Sequence, residues 1–168
     1  MAEIIKTYRQ SLGAMRFIGK RYGDDDRVNG MFGAKWGEWF EHDWFGMIEK
    51  QAGVDLKGMY EDGGSYIGLM RGGHREPFEY WIGCFVPEDT AVPAGFSFVD
   101  FPEGDLGVCW VYGKEAEIYG LEGACAERLK EDGFSFKNGW CFERYSHTRF
   151  TEPDEQGNFI LDICFYVK

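Results

Sequence analysis

A glutamate within a strand-like run could recognise a charged ligand. Side chains alternate along a strand, so Glu143 shares one face of its predicted strand with Cys141 and Tyr145. A carboxylate between a thiol and a phenol is partly removed from water, which makes its ionised form costly without a counter-charge. A cationic aromatic ligand would supply that charge, and flanking rings would each add about 0.5–2 kcal/mol of cation–π attraction.

Other interpretations of Glu143 stay open at this point. The carboxylate could pair with an arginine such as Arg16 or Arg149, or it could point into solvent. If the chain is a hydrolase, Glu143 would be the general base for water and Tyr145 the proton donor. In that case Glu79 is a second candidate for the base.

Aromatic side chains are more numerous on one predicted helix than a single buried face needs. A helix that packs by one face buries one stripe of apolar residues, whereas this helix carries five rings within ten residues, from Trp36 to Phe45. We therefore expect some rings to contact a ligand or a second copy of the chain, although core packing is the alternative for each. The candidate ligand-binding rings are Trp36, Trp39, Phe40, Tyr66, Tyr80, Trp81, Trp110, Tyr112 and Trp140.

The strand predicted over residues 78–86 offers two arrangements. Glu79 and Trp81 share one face, and Tyr80 lies on the other. If the first face lines the binding groove, Glu79 is a second acidic ligand contact. If the opposite face does so, Tyr80 is the ring that contacts the ligand.

The remaining chemistry-bearing residues indicate structural roles. Asp162 lies in an apolar strand-like run and must find hydrogen-bond donors, so we expect bonds to backbone or a neighbouring side chain, with a ligand contact as the alternative. Five cysteines are spread singly along the chain, with no C-x-x-C spacing, and are expected to be reduced core thiols. Three histidines (42, 74 and 147) lack metal-ligand spacing, and no phosphate loop is present. No metal and no cofactor are expected.

Composition excludes several classes of function. The chain has 168 residues, with 18 basic and 29 acidic side chains and a formal net charge of −11. Nucleic-acid binders and proteins that dock on anionic lipid normally present a basic surface, so neither partner is expected. The start of the chain has no basic region followed by an apolar stretch, and no apolar run is long enough to cross a bilayer. We expect a single soluble, cytoplasmic domain, with a homodimer or a regulatory protein partner as possible assemblies.

The order of predicted elements indicates an α+β fold built from two related halves. Residues 1–88 and 89–168 each read strand–strand–helix–strand–strand. An antiparallel sheet would carry both helices on one face, where they would flank a ligand groove along a rough twofold axis. The predicted strands span residues 3–10, 14–22, 65–71, 78–86, 96–101, 106–112, 140–145 and 158–168, and the predicted helices span 33–52 and 115–132.

Several segments, in this order, resemble the GyrI-like small-molecule-binding domain. This domain is the effector-binding module of AraC-type and MerR-type multidrug regulators, and it also occurs as a stand-alone protein. The segments are MRFIGKRY (15–22), FEYWIG (78–83), VPAG (92–95), CFERY (141–145) and ILDICFYV (160–167). The resemblance implies the duplicated βαββ fold that is shared with SOUL-type haem proteins.

The same resemblance implies a function. The family's groove holds aromatic, often cationic or lipophilic molecules above a glutamate on a late strand, a position that corresponds to Glu143. It implies a sensor or a sequestering protein for drug or toxin resistance. The alternatives are a hydrolase of electrophilic, cyclopropane-type aromatic compounds and a gyrase-interacting protein. Because no helix-turn-helix region precedes residue 14, a complete transcription factor is not expected.

Overall fold

Residues 1–73 and 76–168 fold as eight antiparallel strands and three α-helices, which confirms the expected α+β class. The computed structural model describes residues 1–73 and 76–168, so His74 and Arg75, between the predicted strands 65–71 and 78–86, lie outside the described residues. None of the helices in this part of the chain is long and apolar enough to cross a membrane. The strands are β1 (Glu3–Leu12), β2 (Met15–Tyr22), β3 (Tyr66–Gly73), β4 (Glu76–Pro87), β5 (Ser97–Phe101), β6 (Gly104–Gly113), β7 (Phe136–Tyr145) and β8 (Phe159–Val167); the helices are α1 (Gly33–Glu41), α2 (Trp44–Ala52) and α3 (Glu122–Glu131).

One compact unit, here called the α3 unit, combines Met1–Gly13 with Glu103–Lys168. Its strands follow the order β1-β6-β8-β7, with antiparallel pairing throughout. Alternate residues of β6 and β8 point toward α3, which buries its own apolar face against them. The resulting core consists of Cys109, Val111, Ile118, Cys125, Leu129, Leu161 and Ile163.

The other compact unit, here called the α1–α2 unit, spans Ala14–Pro102. Its strands follow the order β3-β4-β2-β5, again antiparallel. The helices cover one face of these strands, where the indole of Trp39 donates to the hydroxyl of Tyr22 over 3.0 Å. The other face is packed with rings in edge-to-face contact, among them Phe17 and Phe85 at a centroid distance of 5.6 Å.

The first strand of each predicted half pairs within the unit that holds most of the other half. β1 pairs with β6, and β5 pairs with β2. The compact units therefore differ in composition from the linear halves 1–88 and 89–168. The relation between those halves as sequence repeats, the single-domain assignment and the ligand groove stay predictions.

Backbone conformation divides the first predicted helix and shortens the second. The helix expected over 33–52 is interrupted at Asp43, whose φ of 52° is left-handed, and this residue separates α1 from α2. Apolar residues recur at helical spacing on both sides of this break, so the pattern did not reveal it. The second helix, expected over 115–132, begins only at Glu122 as α3, because Gly120 has a φ of 77° and ends the preceding turn.

Two glycines allow β2 and β4 to approach each other closely. Gly19 and Gly83 are direct partners in the register of these strands. A Cβ atom at Gly19 would lie 2.1 Å from the carbonyl oxygen of Ile82, and one at Gly83 would lie 2.1 Å from the carbonyl oxygen of Ile18. The obstacle is backbone on both sides, so a side chain at either position would force the strands apart.

We expect Gly83→Ala to lower the free energy of unfolding by about 2 kcal/mol or more, because overpacking against backbone moves whole strands. Urea titration followed by circular dichroism would measure the loss. Gly37→Ala is the matched control, since Gly37 is an exposed residue of α1 with nothing within 4 Å of an added Cβ. The free energy of unfolding of that variant should rise by up to about 1 kcal/mol, because alanine has a higher helix propensity than glycine. An equal fall in the free energy of unfolding of both variants would contradict the close-approach account.

Candidate functional site

Glu143 lies near the end of β7, with only 6% of its surface exposed. Its partner across the strand pair is Ile163 of β8, and directly paired residues share one face of a sheet. Ile163 belongs to the core that includes Cys125 and Leu129 of α3. The carboxylate is therefore on the helix-covered face of the α3 unit, together with Cys141 and Tyr145.

A phenol and a thiol close to Glu143 are held neutral by their surroundings. Burial raises the pKa of the Tyr119 phenol, and the nearby carboxylates of Glu115 and Glu143 raise it further. Burial also raises the pKa of the Cys141 thiol to about 12, with further contributions from Glu122 and Glu143. At neutral pH both side chains keep their protons, so they can donate hydrogen bonds.

Tyr119 was missed by reasoning from the sequence. It lies in the turn before α3, outside any regular strand or helix, and its hydroxyl donates to Glu115 over 3.3 Å. Its proximity to Glu143 arises from tertiary packing, since 24 residues separate the two in the chain. No periodic pattern in the sequence signals such a contact.

Tyr145 and the two arginines considered as counter-ions for Glu143 each contact other side chains. Tyr145 packs edge-to-face on Phe150 at 4.8 Å between ring centroids. Of the two arginines considered as counter-ions for Glu143, Arg16 forms a bidentate pair with Asp100, with nitrogen–oxygen distances of 2.8 and 3.1 Å. Arg149 binds the carboxylate of Asp162, an aspartate without exposed surface. Asp162 therefore has the side-chain donors that were expected for it.

The α1–α2 unit presents three aromatic rings that contact one another or share Phe45 as a neighbour. Tyr66 stacks on Phe45 with centroids 3.7 Å apart and planes within 7°. Phe40 lies 5.9 Å from Tyr66 and 6.4 Å from Trp36, between ring centroids. Phe40 is 60% exposed. We call Trp36, Phe40 and Tyr66 the ring surface.

Strand β4 places Tyr80 on the helix-covered face of this unit. Its hydroxyl accepts a 2.9 Å hydrogen bond from the indole of Trp36, and its ring stacks on Phe32 at 4.3 Å. Glu79 lies on the other face, where it pairs with Arg21 and Arg71 at 3.3 and 2.6 Å. Of the two arrangements left open by the sequence, the structure thus groups Tyr80 with the helices.

Trp81 and Trp39 are both packed in the interior of the α1–α2 unit. Trp81 shares the face of Glu79 and contacts Phe17 edge-to-face at 6.1 Å. Trp39 has no exposed surface and contacts Phe45, Trp44 and Phe96, which places it beneath α1. These positions support the fold of the unit, whereas the ring surface is open to solvent at Phe40.

The three remaining candidate rings belong to the α3 unit, and two of them lie on the face opposite Glu143. Trp110 pairs with Asp162 in the register of β6 and β8, and its indole donates to Tyr8 over 3.3 Å. Tyr112 shares that face, and its hydroxyl bonds to Asp154 and Asn158. Trp140 lies in β7, within the stretch where pairing with β8 shifts register, and is half-buried.

All five cysteines lie among the described residues as thiols outside any disulfide; four are buried and Cys141 is half-buried. Among residues 1–73 and 76–168, no three histidine, cysteine or acidic side chains are arranged to hold a metal ion. Of the histidines considered from the sequence, His74 lies outside the described residues. The chemistry available near Glu143 is therefore that of carboxylates, phenols and a protonated thiol.

No protein-family model and no curated protein matches this sequence. Solved structures do match. SAV2435 bound to tetraphenylphosphonium aligns with a TM-score of 0.66 at 14% identity, over 98% of this chain and 94% of that one. A bacterial transcription regulation protein from Staphylococcus aureus MU50 aligns with a TM-score of 0.64 at 13% identity, over 98% and 99%.

The C-terminal domain of EcmrR aligns with a TM-score of 0.60 at 12% identity, over 97% of both chains. These three structures cover this chain almost from end to end, with all of its strands and helices. Identities of 12–14% establish a shared fold and nothing more. The chain therefore has the α+β fold of GyrI-like effector-binding domains, as its resemblance to them implied.

Proposed function

We propose that this chain binds lipophilic aromatic cations, as a stand-alone sensor or a sequestering protein. The observation that carries the proposal is the position of Glu143: its carboxylate lies on the helix-covered face of the α3 unit, and the residue is only 6% exposed. Burial of an anion is costly, and an incoming cation would reduce that cost. The phenol of Tyr119 and the thiol of Cys141 stay protonated beside this carboxylate, so they add no charge of their own and can donate hydrogen bonds.

Two further observations support a cationic, aromatic ligand. The ring surface of the α1–α2 unit offers stacked rings, with Phe40 largely exposed, and such rings bind flat or cationic ligands by dispersion and cation–π attraction. The net charge of −11 attracts cations over long range. SAV2435, which shares the fold, is described as bound to tetraphenylphosphonium, and this makes that cation a suitable first probe.

Replacing the buried carboxylate tests the proposal directly. Glu143→Gln keeps the size of the side chain and removes its charge, so we expect tetraphenylphosphonium to bind at least about tenfold more weakly. Loss of one partner of a desolvated charge pair costs about 2–5 kcal/mol. Isothermal titration calorimetry of wild type and variant at the same ionic strength would measure the difference.

Glu79→Gln is the matched control for the charge. It removes one carboxylate from the other face of the α1–α2 unit, where Glu79 pairs with two exposed arginines. We expect the dissociation constant of this variant to stay within about twofold of wild type, because Glu79 already pairs with Arg21 and Arg71 on the face that the helices do not cover. An equal loss in both variants would attribute binding to net charge alone, and no loss in Glu143→Gln would refute the role of the buried carboxylate.

The ring surface makes a second, independent prediction. Phe40→Ala should weaken tetraphenylphosphonium binding by about 1 kcal/mol or more, because an aromatic contact contributes about 0.5–2 kcal/mol. Thermal stability should change little, since the ring is 60% exposed. Titration calorimetry and a melting curve on the same sample would report both quantities.

Phe98→Ala is the matched control for the ring. Phe98 belongs to the same unit and is 47% exposed, but it lies in β5 against the guanidinium of Arg16. We expect this variant to bind the probe like wild type. If both phenylalanine variants lose affinity equally, the ring surface has no special part in binding.

A further inference from the structure

An ion pair with no exposed surface lies on the face of the α3 unit opposite Glu143. Arg144 of β7 and Asp162 of β8 are direct partners in register, and the guanidinium Nε donates to the carboxylate over 2.8 Å. Neither side chain has any exposed surface. Arg149 adds a second donor to the same carboxylate, with its Nε 3.1 Å from Oδ1. None of these residues belongs to the helix-covered face that carries Glu143.

The Arg144 guanidinium connects three strands. Besides the bond to Asp162 of β8, its Nη1 donates to the side-chain oxygen of Gln10 in β1 over 2.8 Å. Removing two charges from water is expensive, and an apolar pair of equal volume often stabilises a fold as well or better. A network of this kind fits a demand for one specific arrangement of strands better than a demand for stability alone.

Strand β7 has a particular need for such a constraint. Its pairing with β8 shifts register between Phe136 and Cys141, and regular pairing resumes only from Cys141 to Arg144. A slip of one residue in a strand moves every side chain to the other face of the sheet. For this short paired stretch, a slip would take Glu143 off the helix-covered face and put Arg144 in its place.

We infer that Arg144 and Asp162 are positioning residues for Glu143. Their ion pair fixes the register of β7 and so holds the Glu143 carboxylate on the helix-covered face, where it selects cationic over anionic ligands. The inference rests on the proposed function, since it assigns the origin of charge selectivity to a pair of residues that touch no ligand. The ion pair and the carboxylate it positions lie on opposite sides of one strand.

A pair of probes with the same shape and opposite charge isolates charge selectivity. Tetraphenylphosphonium and tetraphenylborate serve this purpose, and the ratio of their dissociation constants is the readout. In wild type the ratio should favour the cation. Asp162→Asn should reduce that preference by about tenfold, which corresponds to about 1.4 kcal/mol, and bring it toward the value of Glu143→Gln. In the Glu143→Gln background, Asp162→Asn should change the ratio no further.

Asp105→Asn is the control for the loss of an aspartate in this unit. Asp105 pairs with Arg9 at an exposed position of β6, at 3.0 Å. This variant should leave the ratio as it is in wild type. Gln10→Ala is the milder variant if Asp162→Asn does not fold, because it removes one hydrogen bond of Arg144 and leaves both charges. We expect it to shift the ratio by about threefold, less than the loss of a charge.

The outcomes are separable. A lower melting temperature with an unchanged ratio, in Asp162→Asn or in Gln10→Ala, would overturn the inference and leave the ion pair a purely structural element. A wild-type protein with no preference for the cation would instead refute the proposed function. The positioning role is established if Asp162→Asn lowers the preference for the cation in the wild-type background but not in the Glu143→Gln background. Asp105→Asn must leave that preference unchanged.

Discussion

Opposite charges at adjacent positions of one strand organise the α3 unit. Glu143 and Arg144 are neighbours in the chain, and because strand side chains alternate they project to opposite faces. Arg144 forms a buried ion pair with Asp162 on one face, and Glu143 lies on the other face, which α3 covers. The alternation of β7 therefore decides which face of the strand carries each charge.

Around Glu143 the protein keeps potential anions protonated. Burial is the largest cause of the raised pKa values of Tyr119 and Cys141, and the surrounding carboxylates raise these pKa values further. The consequence is chemical: a protonated thiol is a poor nucleophile, whereas protonated phenols and thiols are hydrogen-bond donors. This environment suits reversible recognition of a cation better than covalent chemistry at Cys141.

Much of the fold was predictable from the sequence because strand and helix periodicities are local. All eight strands were located within a few residues, and the face shared by Cys141, Glu143 and Tyr145 followed from alternation alone. The division of the first helix at Asp43 was not predictable, since one residue of left-handed backbone leaves the apolar spacing intact. The face of β4 that meets the helices depended on packing, as did the approach of Tyr119 to Glu143.

The pairing of β1 with β6 bears on how this chain acquires its structure during synthesis. The residues of β6 that pair with β1 lie about a hundred positions later in the chain, and Arg9 of β1 donates to the carbonyl of Lys168, 159 positions away. Contacts so distant in sequence must close large loops before they stabilise anything, which makes folding slow.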